Sequence, residues 1–369
     1  MYRVCHLTSA HGPEDVRIFV KECVSLASNG YEVYLVEQGD TYDKKGVHII
    51  GVGTPPQSRL KRIFKTSYTV YRNALKVNAD LYHLHDPELL PYALRLKRKG
   101  KKVIFDSHEC YVEQIKTKPY MSKFFRALIS KIYCIIETFV CKRIDAVVIP
   151  ATISGNNFFL NRCKKSVIVS NASRLDEFYN KDAESFDNNN VCYIGGLSED
   201  RGIEKIVKAS YNANAKLLLV GSFRPSGFQD EIQKLPEYEC VEYLGQMHHD
   251  EIPNVLSRSM VGLCVLRDSG QYLKIDTFGI KVFEYMSMGL PVILSHSTYN
   301  DQMVKKYKFG ICVNPEDVEE ISSAIVYLLK HPDERRKMGN NGKTAIRDTF
   351  NWSVEEKKLC SLYKELLSS

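Results

Sequence analysis

A chain of 369 residues, 44% hydrophobic and 26% charged, reads as a packed globular protein long enough for two domains, which excludes disorder. No run of about 18 uncharged apolar residues occurs, the longest apolar stretch near the N-terminus (Val33–Val36) is too short for a signal peptide, and eleven cysteines without a C-x-x-C fit neither a disulfide framework nor a zinc site, so a soluble, reduced, cytoplasmic protein is expected. The net charge of +7 is uneven: residues 1–170 carry 27 Lys and Arg against 15 Asp and Glu (+12), and the remainder 24 against 29 (−5).

In the first half, Tyr2–Leu7 reads as a strand and Asp15–Asn29 as a helix with Val16, Phe19, Val20, Cys23, Leu26 and Ala27 on one face, stopped by Gly30. Glu32–Glu37 is the next strand. Leu81–His85 and Val103–Asp106 follow as strands around a helix at Glu88–Lys99, then a long helical segment Phe124–Arg143 and a strand Ala146–Ile149. The polar stretch Ser173–Asn190 ends in an Asn run and reads as a linker. Beyond it, strands Val191–Ile194 and Lys216–Val220 flank a helix Ile203–Asn212. Further strands are expected at Cys240–Tyr243, Val261–Val265 and Pro291–Leu294, and a last helix at Val354–Leu367. Strands alternating with helices predict α/β architecture with parallel sheets: two Rossmann-like domains, 1–170 and 171–350, facing across a cleft, with 351–369 returning to the first.

Ligands of open parallel sheets bind beyond the C-terminal strand ends, so the strand-to-helix loops carry the candidate sites. After strand one, Thr8–Asp15 (TSAHGPED) offers His11 and Gly12 ahead of a helix N-terminus, suited to an acceptor or a phosphate; it is not a dinucleotide fingerprint. In Tyr193–Gly202 (YIGGLSEDRG), Gly195, Gly196 and Arg201 precede a helix and suggest a diphosphate cradle. The strongest block is Asp276–Ile293 (DTFGIKVFEYMSMGLPVI). A helix beginning near Gly279 points its free N–H groups and Lys281 at a phosphate, and Glu284, one turn deeper, reaches a sugar hydroxyl; Gly289 and Pro291 end the helix.

That block resembles the E-x7-E region of retaining family-4 glycosyltransferases of the GT-B fold, with Asp276 in place of the first Glu. Tyr193–Gly202 is similar to the family's "GRL…KG" loop, Val169–Phe178 to its "PNGVD…F" segment, Leu244–Leu256 to "G…H.EL..LL", and Phe350–Leu366 to the closing "F.W" helix. The resemblance implies that Glu284 holds the donor ribose and Asp276 the sugar hydroxyls. The backbone of Phe278, Gly279 and Ile280 would lie against sugar and diphosphate, and Arg201 would pair with the diphosphate. Gly196 stands where the family often carries an Arg, and Lys281 is placed to compensate. His108, at the end of Val103–Asp106, matches a position near the donor sugar, with His85 a similar candidate; adjacent His248 and His249 are read as non-metal residues, and Cys134 and Cys141 as core.

The implied activity is transfer of a hexose-type sugar from a nucleotide-diphosphate sugar to a hydroxyl of a lipid-linked saccharide, with retained configuration, as in bacterial surface-polysaccharide (lipopolysaccharide or capsule) synthesis. With no D-x-D triplet, no metal or other cofactor is expected. A nucleotide-sugar 2-epimerase and a non-catalytic two-lobed sugar binder are the alternatives. The basic clusters Arg59–Lys65, Arg95–Lys102 and Lys116–Lys131 suit peripheral contact with an anionic membrane, at the inner face of the cell membrane, while nucleic-acid motifs are lacking.

Overall fold

The computed structural model describes residues 1–54, 58, 62–116, 121–174, 189–269 and 272–368. Most of the expected linker and the start of the Arg59–Lys65 cluster lie outside the described residues. The chain forms two compact units, Met1–Asn171 with Ser353–Ser369, and Ala172–Trp352.

In the first unit β1 (Arg3–Leu7) leads into helix α1, wound as a π-helix over Val16–Cys23 and as an α-helix over Val24–Ser28. Then come β2 (Glu32–Glu37), β3 (Tyr42–Lys44), β4 (Val47–Gly51), α2 (Ser67–Val77), β5 (Leu81–Leu84), α3 (Leu90–Arg98), β6 (Lys102–Asp106), α4 (Tyr111–Lys116), α5 (Lys123–Cys141), β7 (Ala146–Ile149) and β8 (Ser166–Ile168). The eight strands are ordered β3-β4-β2-β1-β5-β6-β7-β8, and among them only β3 runs antiparallel to its neighbour. Leu7, Val36, Leu84, Phe105 and Val147 fill one core under this sheet.

The second unit contains β9 (Asn190–Ile194), α6 (Ile203–Asn212), β10 (Lys216–Val220), α7 (Gly227–Gln233), β11 (Val241–Gly245), α8 (Ile252–Ser257), β12 (Val261–Cys264), α9 (Ile280–Ser287), β13 (Val292–Ser295), α10 (Thr298–Tyr307), β14 (Gly310–Val313), α11 (Val318–Lys330) and α12 (Pro332–Asp348). Its sheet is parallel, ordered β11-β10-β9-β12-β13-β14. The last helix, α13 (Trp352–Ser368), packs on the first unit, where the Tyr363 hydroxyl meets His6 Nε2 at 2.9 Å and His83 Nδ1 at 2.8 Å.

One expected helix face is corrected. Val16 is 45% exposed, whereas Arg17, Lys21 and Glu22 are buried with Phe19 and Cys23. The wider π winding breaks the 3.6-residue period and turns three charged side chains inward. Pairing offsets their burial: Arg17 forks onto Asp106 at 2.9 and 3.0 Å, Lys21 Nζ reaches Asn171 Oδ1 at 2.7 Å, and Glu22 lies 3.2 Å from Arg17 Nε. No described helix is long and apolar enough to cross a membrane.

Candidate active site

Both sheets reverse their strand order once, between β9 and β12 in the second unit and between β1 and β5 in the first, and the candidate loops leave those strands, apart from that of His108, which leaves β6.

In the second unit, α9 is pinned beneath the strand ends. The Tyr285 hydroxyl accepts from Ile194 N–H at 3.1 Å and lies 3.3 Å from the Leu263 carbonyl. A Cβ on Gly262 would stand 2.4 Å from its ring. This anchoring fixes Lys281, one turn earlier, against the glycine loop: its Nζ sits 3.6 Å from the Tyr193 ring centre, and a Cβ on Gly195 would lie 3.1 Å from it. Lys281 is 8% exposed, and its ammonium has no hydrogen-bond partner among the described residues. Burial, with Arg201 adding to it, pulls the pKa down to about 7.

The glycine loop has little freedom. Gly195 (φ +120°) abuts Gly221 (φ +140°) so closely that a Cβ on Gly221 would fall 1.8 Å from the Gly195 carbonyl oxygen, while Tyr193 Oη donates to the Gly196 carbonyl at 2.9 Å. The space above Gly196 and Gly279 is open. Gly279 caps α9, its carbonyl accepting from Val282 N–H at 2.9 Å, so that the amides of Ile280 and Lys281 are the ones at the helix start with no preceding turn to bond to. Arg201 closes a 3₁₀ turn and stacks over Tyr272 at 4.7 Å. Phe278 turns its ring into a cluster with Phe283, Tyr299, Phe309 and Phe350, so that only its backbone is placed like that of Gly279, and Ile280 is 47% exposed. Asp276 is half-buried in the preceding loop.

Glu284 is 5% exposed, and its Oε1 lies 2.9 Å from His249 Nε2. Sequence reasoning gave His249 no place in the site. Its signal lay in the "H.EL"-like stretch, where one His of the pair can point at the carboxylate while the other turns away.

In the first unit the loop after β1 wraps the carboxylate of Asp86. Asp86 Oδ2 accepts from Thr8 Oγ1 at 2.9 Å, Ser9 N at 2.5 Å and Ala10 N at 3.1 Å, and Oδ1 lies 3.1 Å from His11 Nδ1. Burial opposes ionisation of both groups, yet their pairing holds the Asp86 carboxyl below its ordinary pKa and lifts His11 above its own. Gly12 is unobstructed.

His108, 13% exposed, is the outer end of a hydrogen-bonded chain. Its Nε2 meets His85 Nδ1 at 3.0 Å, His85 Nε2 meets His6 Nδ1 at 2.9 Å, and His6 connects through the Tyr363 hydroxyl to His83. Burial drives all four imidazoles down, His108 to about 4 and His83 to about 3, so each is neutral at pH 7. His85 is fully buried and backs His108. Asp106, held ionised by Arg17 against the effect of burial, lies 3.7 Å from His108 Nε2.

By donor type, His6, Glu22, His83 and His85 form a group that could hold a metal ion, as do His85, Asp106 and His108, and the exposed His296, Asp301 and Cys312. In the first group the nitrogens of His6 and His85 and His83 Nδ1 are hydrogen-bonded within the histidine chain and to Tyr363, whereas His83 Nε2 is buried with no hydrogen-bond partner among the described residues. Glu22, its carboxyl raised well above the usual range chiefly by burial, lies 3.2 Å from Arg17 Nε. Arg17, Asp86 and Asp106 were not singled out from sequence.

Two doubly wound α/β units, each with a polar constellation at its switch point and one with a buried lysine under a glycine loop, define a two-domain α/β protein. Residues 17–173 match the family model for Glycosyltransferase Family 4, and residues 176–345 that for Glycosyl transferases group 1. The chain belongs to the family-4 glycosyltransferases of GT-B fold.

Among relatives, a GDP-mannose-dependent monoacylated alpha-(1-6)-phosphatidylinositol monomannoside mannosyltransferase of Corynebacterium glutamicum is 25% identical over 169 residues, 44% of this chain. The matched stretch spans 43% of that relative, less than half its length. Among solved structures, sucrose-phosphate synthase of Thermosynechococcus elongatus superposes with a TM-score of 0.78 at 19% identity, covering all of both chains. Anabaena HepE in complex with UDP and glucose gives 0.72 at 13%, covering 99% of this chain and 100% of its own. At these identities the structural likeness establishes the fold alone.

Proposed function

We propose that the protein transfers a hexose-type sugar from a nucleotide-diphosphate sugar to a hydroxyl of a lipid-linked saccharide, retaining the anomeric configuration and without a metal. The observation that carries this reading is Lys281: a buried ammonium with no hydrogen-bond partner among the described residues, set under Gly195 beside the free amides of α9. Burying an unpaired cation is costly, and a diphosphate supplies the missing partner. Arg201 and the α9 amides complete the neutralisation of the leaving group. Glu284, oriented by His249, binds the donor ribose, and Asp276 the sugar hydroxyls.

In the reaction the bond from the anomeric carbon to the diphosphate oxygen breaks as the acceptor oxygen attacks from the same face. The acceptor proton passes to the departing diphosphate oxygen. His108, neutral at pH 7, orients a donor-sugar hydroxyl by hydrogen bonding and does not act as a stored acid, while His11 and Gly12 line the acceptor loop. The mannosyltransferase relative, named for a phosphatidylinositol monomannoside, supports the lipid-linked assignment. The test is proton NMR of slow donor hydrolysis in EDTA, water taking the acceptor's place. The first sugar released should keep the donor's anomeric configuration. Release of the opposite anomer, or turnover only with an added divalent ion, would defeat the proposal.

A further inference from the structure

Helix α5 carries a long apolar stripe on its exposed side. Phe124, Phe125, Leu128, Ile129, Ile132, Ile135, Ile136 and Phe139 are each 41–73% exposed and recur three and four residues apart along its outer side. Its inner side buries Val140 and Cys141 in the core and is anchored by polar bonds: Ser130 Oγ donates to the Val112 carbonyl at 2.9 Å, and buried Glu137 accepts from Tyr133 Oη at 2.8 Å and Arg162 Nη2 at 2.5 Å. Those bonds fix the rotation of the helix, so the apolar stripe is held outward. Glu137 is the sole acidic residue from Lys116 to Arg143, leaving Lys123, Lys131, Lys142 and Arg143 exposed beside the stripe.

We infer that α5 lies in the surface of an anionic bilayer, its apolar stripe among the acyl chains and its cations at the lipid phosphates. A row of eight large apolar side chains flanked only by positive charge is the composition of an interfacial helix. A second copy of the chain fits poorly, because a two-fold contact through this face would set cation against cation. This deepens the reading of a lipid-linked acceptor, since docking α5 holds the first unit at the surface where such an acceptor resides.

The test is flotation of the full chain with vesicles of phosphatidylcholine alone or mixed with phosphatidylglycerol, at low and high salt. Binding is expected to the anionic vesicles, to weaken with salt, to fall about tenfold or more in Ile132→Ser/Ile136→Ser, and to fall about fivefold for each of Lys123→Ser and Lys131→Ser. Both isoleucines are exposed, so melting temperatures should hold, and wild-type selectivity between the vesicles needs no variant. No binding to anionic vesicles, equal binding to both, or concentration-dependent self-association abolished by the isoleucine pair would each overturn the inference. Nucleotide-induced thermal stabilisation is read separately, so failure here is distinct from failure of the transferase reading.

Discussion

If Lys281 is the cation that meets the donor diphosphate, its depressed pKa makes donor affinity depend on pH in a defined direction. In the free protein the ammonium titrates at about 7, because burial penalises the charge and Arg201 repels it, while Cys264 and Glu284 oppose the shift. A bound diphosphate favours the charged form and returns the pKa towards the ordinary ~10.4. Binding therefore takes up a proton above pH 7, and affinity falls as pH rises. Half the lysine is charged at pH 7 and about 1% at pH 9, so the dissociation constant should rise about 50-fold, or ~2.3 kcal/mol, between them. The sign for folding is opposite: with the folded pKa below the unfolded one, the unfolded chain holds more protons between pH 7 and 10, so the free protein gains stability with pH there. The assay is titration calorimetry with a nucleotide sugar, whose diphosphate does not ionise in this range, in buffers of differing ionisation enthalpy. Lys281→Met should bind weakly at pH 7 with no slope. A flat profile in the wild type, or a slope that survives in Lys281→Met, would refute the reasoning.

Other outcomes follow from the same contacts. Glu284→Ala should remove most nucleotide-induced thermal stabilisation and His249→Ala part of it, since the imidazole only orients the carboxylate; equal loss in both would show that His249 binds directly. Tyr363→Phe leaves His6 Nε2 and His83 Nδ1 buried without their shared partner, and urea unfolding should show a loss of about 1–3 kcal/mol. Asp106→Asn takes the forked carboxylate from buried Arg17 and leaves Glu22, 3.2 Å away, as its remaining acidic neighbour, costing about 1.5–3 kcal/mol, read as a fall in melting temperature. Gly221→Ala should separate the two glycine loops and weaken donor binding, because its Cβ has no room beside the Gly195 carbonyl.

Much of the fold was legible because its strands are short β-branched runs between helices. Glu32–Glu37, Ala146–Ile149 and Lys216–Val220 stand where the pattern puts them. The β3–β4 hairpin, β8 and β14 escaped notice, since a three-residue strand such as Tyr42–Lys44 is too brief to establish an alternation. In the second unit the glycine loop and α9 could be read in sequence because helix start, cap and stop are local signals. What periodicity could not show was burial of charge. Arg17, Lys21 and Glu22 look like the solvent face of a regular helix, and only the π winding and Asp106, 89 residues further on, turn them inward. His249 and Glu284, 35 residues apart, meet only through the fold. The stripe on α5 could be read in sequence, but whether it faced inward or outward depended on which side Glu137 and Ser130 anchor.

The most direct test of the central claim is a thermal-shift screen of the protein against UDP, GDP and ADP and their common sugars, with EDTA present. The account predicts that one nucleotide series raises the melting temperature, by an amount equivalent to about 2.7 kcal/mol at 100 times its dissociation constant, and that Lys281→Met and Glu284→Ala abolish the shift. No shift with any nucleotide, or a shift indifferent to both substitutions, would contradict it.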